Sequence, residues 1–197
     1  MRYDAEHKQK TRERVLKEAA KAIRAEGPHR VAVAGVMAKA GLTHGGFYGH
    51  FQSKDDLIAA SIEEMFRQSS KRFQGETEGL PAAVGLAAYI DFYLSPEHRD
   101  ARGQGCPLPY LSADAPRLSP QSREAFAGGV ARLTERLAAL LEAVEWLDPT
   151  ASASSLLAEC VGALALARAE PDADRSDAIL RRSRDALKAR FHLETLS

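Results

Sequence analysis

Ala40-Gly41-Leu42-Thr43-His44-Gly45-Gly46-Phe47-Tyr48-Gly49-His50-Phe51, continued by Gln52-Ser53-Lys54, is the stretch whose reading decides the fold. Glycine takes positive φ at no steric cost, so Gly41 marks where one helix stops and the chain reverses. Thr43 offers a hydroxyl to cap the helix that follows, and Ser53 offers another to the helix after that. Phe47 and Phe51 are four apart, so both point from one helical face into a small core, while Tyr48 and His50 fall on other faces. An aromatic core face beside a polar, partly basic face suits a short helix laid in a DNA groove. It suits equally a short helical hairpin inside any all-α protein. On their own the residues leave both readings open.

Residues 11–57 resemble the DNA-binding domain of the tetracycline-repressor (TetR) family of bacterial regulators. The matching residues are Ala40-Gly41-Leu42-Thr43, Phe47-Tyr48-Gly49-His50-Phe51 and Ser53-Lys54-Asp55-Asp56-Leu57, with Val15, Leu16, Ala19 and Ala20 upstream. Beyond about residue 75 the likeness is one of layout. The resemblance implies an all-α chain of about nine helices. A three-helix helix-turn-helix domain is expected over 1–52, a connecting helix over 53–74, and a ligand-binding and dimerisation domain over 75–197. It also implies a homodimer on a palindromic double-stranded operator, released by an unidentified small-molecule effector. Tyr48, His50 and Lys54 are then expected to hold the phosphate backbone, and His44 with Thr43 to touch base edges. Gly45 and Gly46 let the backbone come close to the DNA or serve fit alone. Three residues depart from the family pattern: Ala32 where a capping Ser or Thr is usual, Met37 at a tight helix crossing, and Gly49 where a larger residue is common.

Composition agrees with a DNA-binding end. The 197 residues carry no formal net charge, yet residues 1–54 hold eleven Lys/Arg against five Asp/Glu, leaving sixteen against twenty-two in the remainder. A basic third on an acidic body gives a polyanion one preferred docking place. Chance clustering on solvated helices gives the same count, so the asymmetry supports DNA binding without proving it. Two cysteines make no disulfide framework and no zinc spacing. Neither a signal-peptide core nor an apolar run of about 20 residues is evident, so a cytoplasmic protein without a membrane segment is expected.

Helical periodicity runs through the chain. Residues 1–10 are expected to be disordered without DNA, and Thr11 to cap a first helix with the stripe Val15, Leu16, Ala19, Ala20 and Ile23. Arg12, Lys17, Lys21 and Arg24 are expected on its outer surface. Val33–Ala40 forms the second helix, with Val33, Val36, Met37 and Ala40 inward. A fourth helix, capped by Ser53 with Asp56 as a weak capping box, is expected to end near Phe73, before the break Gln74–Gly79. A buried helix follows Pro81, then a polar loop from Ser95 to Gly105 and a short helix near Leu108. A long helix from Ser119-Pro120 carries Gly128-Gly129, which demands a kink or a close neighbour. Two last helices, from Asp148-Pro149 and from Arg175, resemble the family's dimerisation pair, although they suit the closing of a monomeric core as well.

In the body, Cys106 precedes a helix start and lies near Arg99 and Arg102, a setting that favours a thiolate able to sense an electrophile or oxidant. A small, half-buried thiol that only packs is the plainer reading. Cys160, between Leu157 and Leu164, is expected in the core. Tyr89, Phe92, Tyr93, Cys106, Tyr110 and Phe126 are candidates to line an effector pocket, with Met65, Phe66 and Trp146 as further ones; aromatics at helical spacing are more often plain core than a ligand cage. No phosphate loop, metal-ligand spacing or Ser/His/Asp arrangement is visible, so neither enzyme activity nor a cofactor or metal is expected. Two other functions compete: a thiol redox or electrophile-scavenging protein acting through Cys106, and a helical protein-binding adaptor. Both leave the basic first third and the His44–Lys54 pattern unexplained.

Overall fold

The computed structural model describes residues 2–193, with side chains from Glu6 onward. Among the described residues there are nine α-helices, two short 3₁₀ helices and no strand. They fall into two compact units. One comprises the chain up to Gln68 together with Tyr110–Gly129; the other comprises Ser69–Pro109 and the chain from Val130 onward.

In the first unit, α1 (Arg2–Glu26) is helical from Arg2, so the expected disorder of residues 1–10 is overturned; Met1 lies outside the described residues. Lys10 pairs with Glu6 at 2.8 Å and Gln9 with Glu13 at 3.0 Å, i,i+4 contacts that favour the helix. Thr11 is therefore a buried mid-helix residue, not a cap. Val15, Leu16, Ala19, Ala20 and Ile23 form the buried stripe as expected. Arg24 does not decorate the surface: it is 5% exposed and donates to Gln68. Gly27, at φ +82°, ends the helix.

α2 (Val33–Lys39) lacks a side-chain cap at Ala32, and its core face is Val36 and Met37, with Val33 only half-buried. Gly41 turns the chain at φ +71°, and Arg14 reaches across to donate to the Ala40 carbonyl at 2.9 Å. α3 (Lys54–Thr77) starts on a side-chain exchange. Ser53 Oγ accepts from Asp56 N–H at 3.0 Å, and the Asp56 carboxylate accepts from Gln52 N–H at 2.9 Å. It runs beyond the expected end at Phe73. The Arg72–Glu76 ion pair and the Thr77 hydroxyl on the Phe73 carbonyl carry it through Gly75. Gly79, at φ +76°, then breaks the chain.

The second unit is built around α4 (Ala82–Tyr93), whose Leu86, Ile90 and Tyr93 are fully buried. Where a polar loop was expected, Ser95 caps α5 (Pro96–Asp100) by accepting from His98 N–H at 3.1 Å. After α6 (Leu108–Leu111) and a 3₁₀ turn (Ala115–Arg117) comes α7 (Pro120–Ala143), which contributes to both units, as α3 does. The close neighbour demanded by Gly128-Gly129 is Phe66: a Cβ on Gly129 would lie 2.1 Å from its ring.

α8 (Pro149–Ala169), capped by Asp148, packs on α9 (Ala173–Arg190), and both pack on α4. Asp172 caps α9 two residues earlier than expected, accepting from Arg175 N–H at 2.9 Å. Contrary to the sequence reading, α8 is long and apolar enough to cross a membrane by length and composition. Its Leu156, Leu157, Cys160, Ala163 and Leu164 are buried, and a core helix of a helical domain passes the same test.

Candidate nucleic-acid interface

Between α2 and α3 the chain forms not the expected α-helix but a 3₁₀ helix, His44–Gly49. The reason is local. Three of its six residues are glycine, each about 1 kcal/mol poorer than alanine in an α-helix, and a short 3₁₀ segment needs no long ladder. Thr43 stands at the N-cap position, yet its hydroxyl accepts no cap hydrogen bond. The aromatic anchor is as read. Phe47 and Phe51 are 3% and 2% exposed, with rings stacked at 5.7 Å between centroids. Phe51 N–H also donates to the Phe47 carbonyl at 3.0 Å.

With both rings pinned inward, Thr43, His44, Gly45, Gly46 and Tyr48 lie together on the open side. Tyr48 is 73% exposed although it packs edge-on to Phe47. A Cβ on Gly45 or Gly49 would meet nothing within 4 Å, so no internal packing requires glycine there. One on Gly46 would reach only ordinary contact with Met37 and Thr43. Met37 itself is fully buried on the core face of α2.

His50 ends the 3₁₀ helix half-buried, its ring 6.5 Å from that of Phe51. Arg12, on α1, lies over the other member of this pair, its guanidinium carbon 5.0 Å from the Phe51 centroid. Burial first, and then the charges of Lys8 and Arg12, hold the His50 imidazole below its ordinary pKa. Lys54 is partly committed: its ammonium donates to the His29 carbonyl at 3.0 Å. An ammonium has three donors, so two stay available to an anion. Thr43, His44, Gly45, Gly46, Tyr48, His50 and Lys54 thus share one segment of the first unit. Arg12 joins them through Phe51, with Lys8 one turn earlier on α1, from a stretch that read as a disordered tail and a solvated face. The i,i+4 alternation Lys8–Arg12, set on the same face as Val15 and Ala19, was the available signal.

Of the body candidates, Tyr89, Phe92 and Tyr93 cluster in the second unit, with Tyr89 5.8 Å from Tyr93 and 6.3 Å from Phe92. Tyr110 and Phe126 belong to the first unit, where Phe126 meets Phe66 at 5.9 Å. Trp146 is occupied by Phe191 and by a hydrogen bond to Ser152 at 3.1 Å. Cys106 is 6% exposed, and Arg99 does not serve it: that guanidinium is bound to Asp100, Asp177 and Ser176. What holds Cys106 is His98, which the sequence reading passed over. Its Nδ1 lies 2.8 Å from the Tyr93 carbonyl, and Nε2 accepts from Cys106 N–H at 3.2 Å. These bonds define the neutral ring with its proton on Nδ1. Burial above all, opposed by the Tyr93 bond and aided by the charges of Arg168 and Arg72, lowers the pKa to about 4. Burial pushes the thiol of Cys160, which is wholly enclosed, well up.

Comparison with known proteins accords with this geometry. The family described as "Bacterial regulatory proteins, tetR family" matches residues 15–61. Several solved structures share the fold. The reduced form of NemR from E. coli is 22% identical with a TM-score of 0.80, covering 91% of this chain and 97% of that one. A TetR transcriptional regulator from Chloroflexus aurantiacus is 24% identical with a TM-score of 0.80, covering 93% and 95%. A TetR-family transcriptional regulator from Streptomyces coelicolor is 26% identical with a TM-score of 0.74, covering 92% and 96%. No curated protein matches the chain. The matched segment holds the turn at Gly41, the Phe47/Phe51 anchor and the exposed row Thr43–Gly46 and Tyr48, so residues 15–61 are similar to the DNA-binding segment of tetR-family regulatory proteins, in a chain that shares the fold of solved TetR-family regulators.

Proposed function

We propose that the chain is a homodimeric repressor of a palindromic operator, released by an effector that acts on the second unit. The observation that carries the first part is the exposed row Thr43–Gly46 and Tyr48 above a pinned aromatic pair, with His50 and Lys54 beside it. His44 and Thr43 are the side chains offered to base edges, while Tyr48, His50 and Lys54 hold phosphate. The open space at Gly45 and Gly49 lets the backbone approach the duplex. Few side chains read bases, so much of the affinity is electrostatic and falls steeply with salt. The dimer reading is supported by α8, an apolar helix that leaves Ala151, Ala158 and Leu166 exposed, Leu166 by 63%. A dimer sets its reading segments about 34 Å apart or a little more, one helical turn of DNA.

Release is a linkage: effector and operator must prefer different conformations. The Tyr89, Phe92 and Tyr93 cluster is the proposed effector contact. Modification of Cys106 is a second route, favoured by the tie between its backbone and His98. An adduct on the buried thiol would have to displace the segment that His98 holds. Binding of the purified protein to its own upstream DNA and to unrelated DNA, at two salt concentrations, tests the reading. Tight, saturable, salt-sensitive binding to one palindromic segment is expected. Equal, weak binding to both would refute an operator in that region. Release by electrophiles that persists unchanged in Cys106→Ser would remove that residue from the mechanism.

A further inference from the structure

We propose that Lys8, Arg12 and His50 form one phosphate-binding corner beside the reading segment, and that His50 takes up a proton when a DNA phosphate enters it. The proposal rests on the DNA-binding reading above and adds to it two residues and a proton. Two groups able to carry positive charge meet at Phe51, and a third lies one turn away on α1. Arg12 lies over the Phe51 ring at 5.0 Å, the His50 ring stands 6.5 Å from it, and Lys8 precedes Arg12 by four residues on the same helical face. His50 Nδ1 is sealed from solvent without a hydrogen-bond partner, which leaves Nε2 as the ring nitrogen to offer a phosphate.

The neighbouring charges are otherwise engaged. On α1, Glu6 is bound to Lys10 at 2.8 Å and Glu13 accepts from Gln9 at 3.0 Å. On α3, Asp56 accepts from Gln52 N–H and Lys54 donates to the His29 carbonyl. In the free protein, then, a proton on His50 would add positive charge beside Lys8 and Arg12 in a partly desolvated place, and protonation of the ring is disfavoured. A phosphate oxygen reverses this balance. It offsets Lys8 and Arg12 and accepts a charge-assisted hydrogen bond from the imidazolium. By linkage, a group whose pKa rises on binding makes the affinity climb as pH falls between its free and bound values. The contact is to the backbone, so it needs no particular sequence.

Any duplex therefore serves as the probe. Affinity for a 30-base-pair duplex of arbitrary sequence, at low salt, would be measured by anisotropy between about pH 5 and pH 8. The ring signals of His50 would be titrated by NMR with and without that duplex. Wild type is expected to bind more tightly as pH falls, by up to about tenfold per pH unit for each engaged His50. The NMR midpoint is expected to move up on adding DNA. His50→Gln should bind with a flatter pH dependence, and Lys8→Gln with Arg12→Gln should bind more weakly with a shallower salt dependence. Binding with an unmoved His50 midpoint, or an equal pH slope in His50→Gln, overturns this proposal and leaves the DNA-binding reading intact. No binding to any duplex at low salt overturns both.

Discussion

Lowering the pH should remove stability through His98 before most carboxylates are protonated, and the amount follows from the geometry of one ring. In the folded protein Nδ1–H is given to the Tyr93 carbonyl and Nε2 receives Cys106 N–H, so a second ring proton would face a donor. The ring is also enclosed: it stacks on Phe92 at 4.9 Å and meets Tyr93 edge-on at 4.9 Å. Positive charge waits nearby, since Arg168 donates to the His98 carbonyl at 2.9 Å and Arg72 lies over the far ring, Phe92, at 4.9 Å. The folded ring therefore takes a proton only near pH 4, whereas the unfolded chain takes one near the ordinary 6.5.

Above 6.5 both states are neutral and the full stability is present. Between 6.5 and about 4 only the unfolded chain is protonated, and stability falls by about 1.4 kcal/mol per pH unit. Over the window His98 alone removes about 3 kcal/mol, and below it the loss stops because the folded ring protonates too. Unfolding by denaturant, followed through the single Trp146, would be compared for wild type and His98→Asn across pH 4–8. Carboxylates titrate alike in both proteins, so the difference isolates His98. Wild type should lead at pH 7 and lose about 3 kcal/mol of that lead by pH 4. A lead that stays constant across the range would refute the reasoning.

Gly129→Ala gains about 1 kcal/mol of helix propensity, but its Cβ would lie 2.1 Å from the ring of the buried Phe66. Overpacking of that kind costs about 1–3 kcal/mol, so a net loss is expected in the denaturant midpoint. Ser53→Ala removes the acceptor for Asp56 N–H and should cost about 1 kcal/mol, read the same way. His44→Ala should lower discrimination between operator and mismatched DNA while barely moving affinity for random duplex. Lys54→Ala should weaken both alike; full affinity in both mutants would show the reading segment to be misassigned.

What was legible in the sequence divides along a physical line. Gly41, the Phe47/Phe51 spacing and the stripe from Val15 to Ile23 are local or periodic signals, and each dictates the same structure in any context that buries one face. Three glycines in His44–Gly49 favour the 3₁₀ form, but a Thr43 cap and the four-residue spacing of Phe47 and Phe51 suit an α-helix as well, so those local signals conflict. The N-terminal start of α1 was missed because polar residues at i,i+4 stabilise a helix without leaving an apolar stripe. α5 was missed for a related reason. Ser95-Pro96 read as the stop of α4, when a serine before a proline also starts a helix, with Pro at its first position.

His98 lay outside the reach of pattern altogether. Its function comes from two hydrogen bonds to backbone atoms of Tyr93 and Cys106, and neither side chain advertises them. The same holds for Lys8 and Arg12, whose meaning depends on a ring thirty-nine or more positions away in the chain. Periodicity reports which face is buried; it does not report which charges meet when distant faces fold together. That is why the candidate DNA-reading segment, His50 included, could be named from the sequence, while the surroundings that hold off the charge of His50 and of His98 could be found only in the structure.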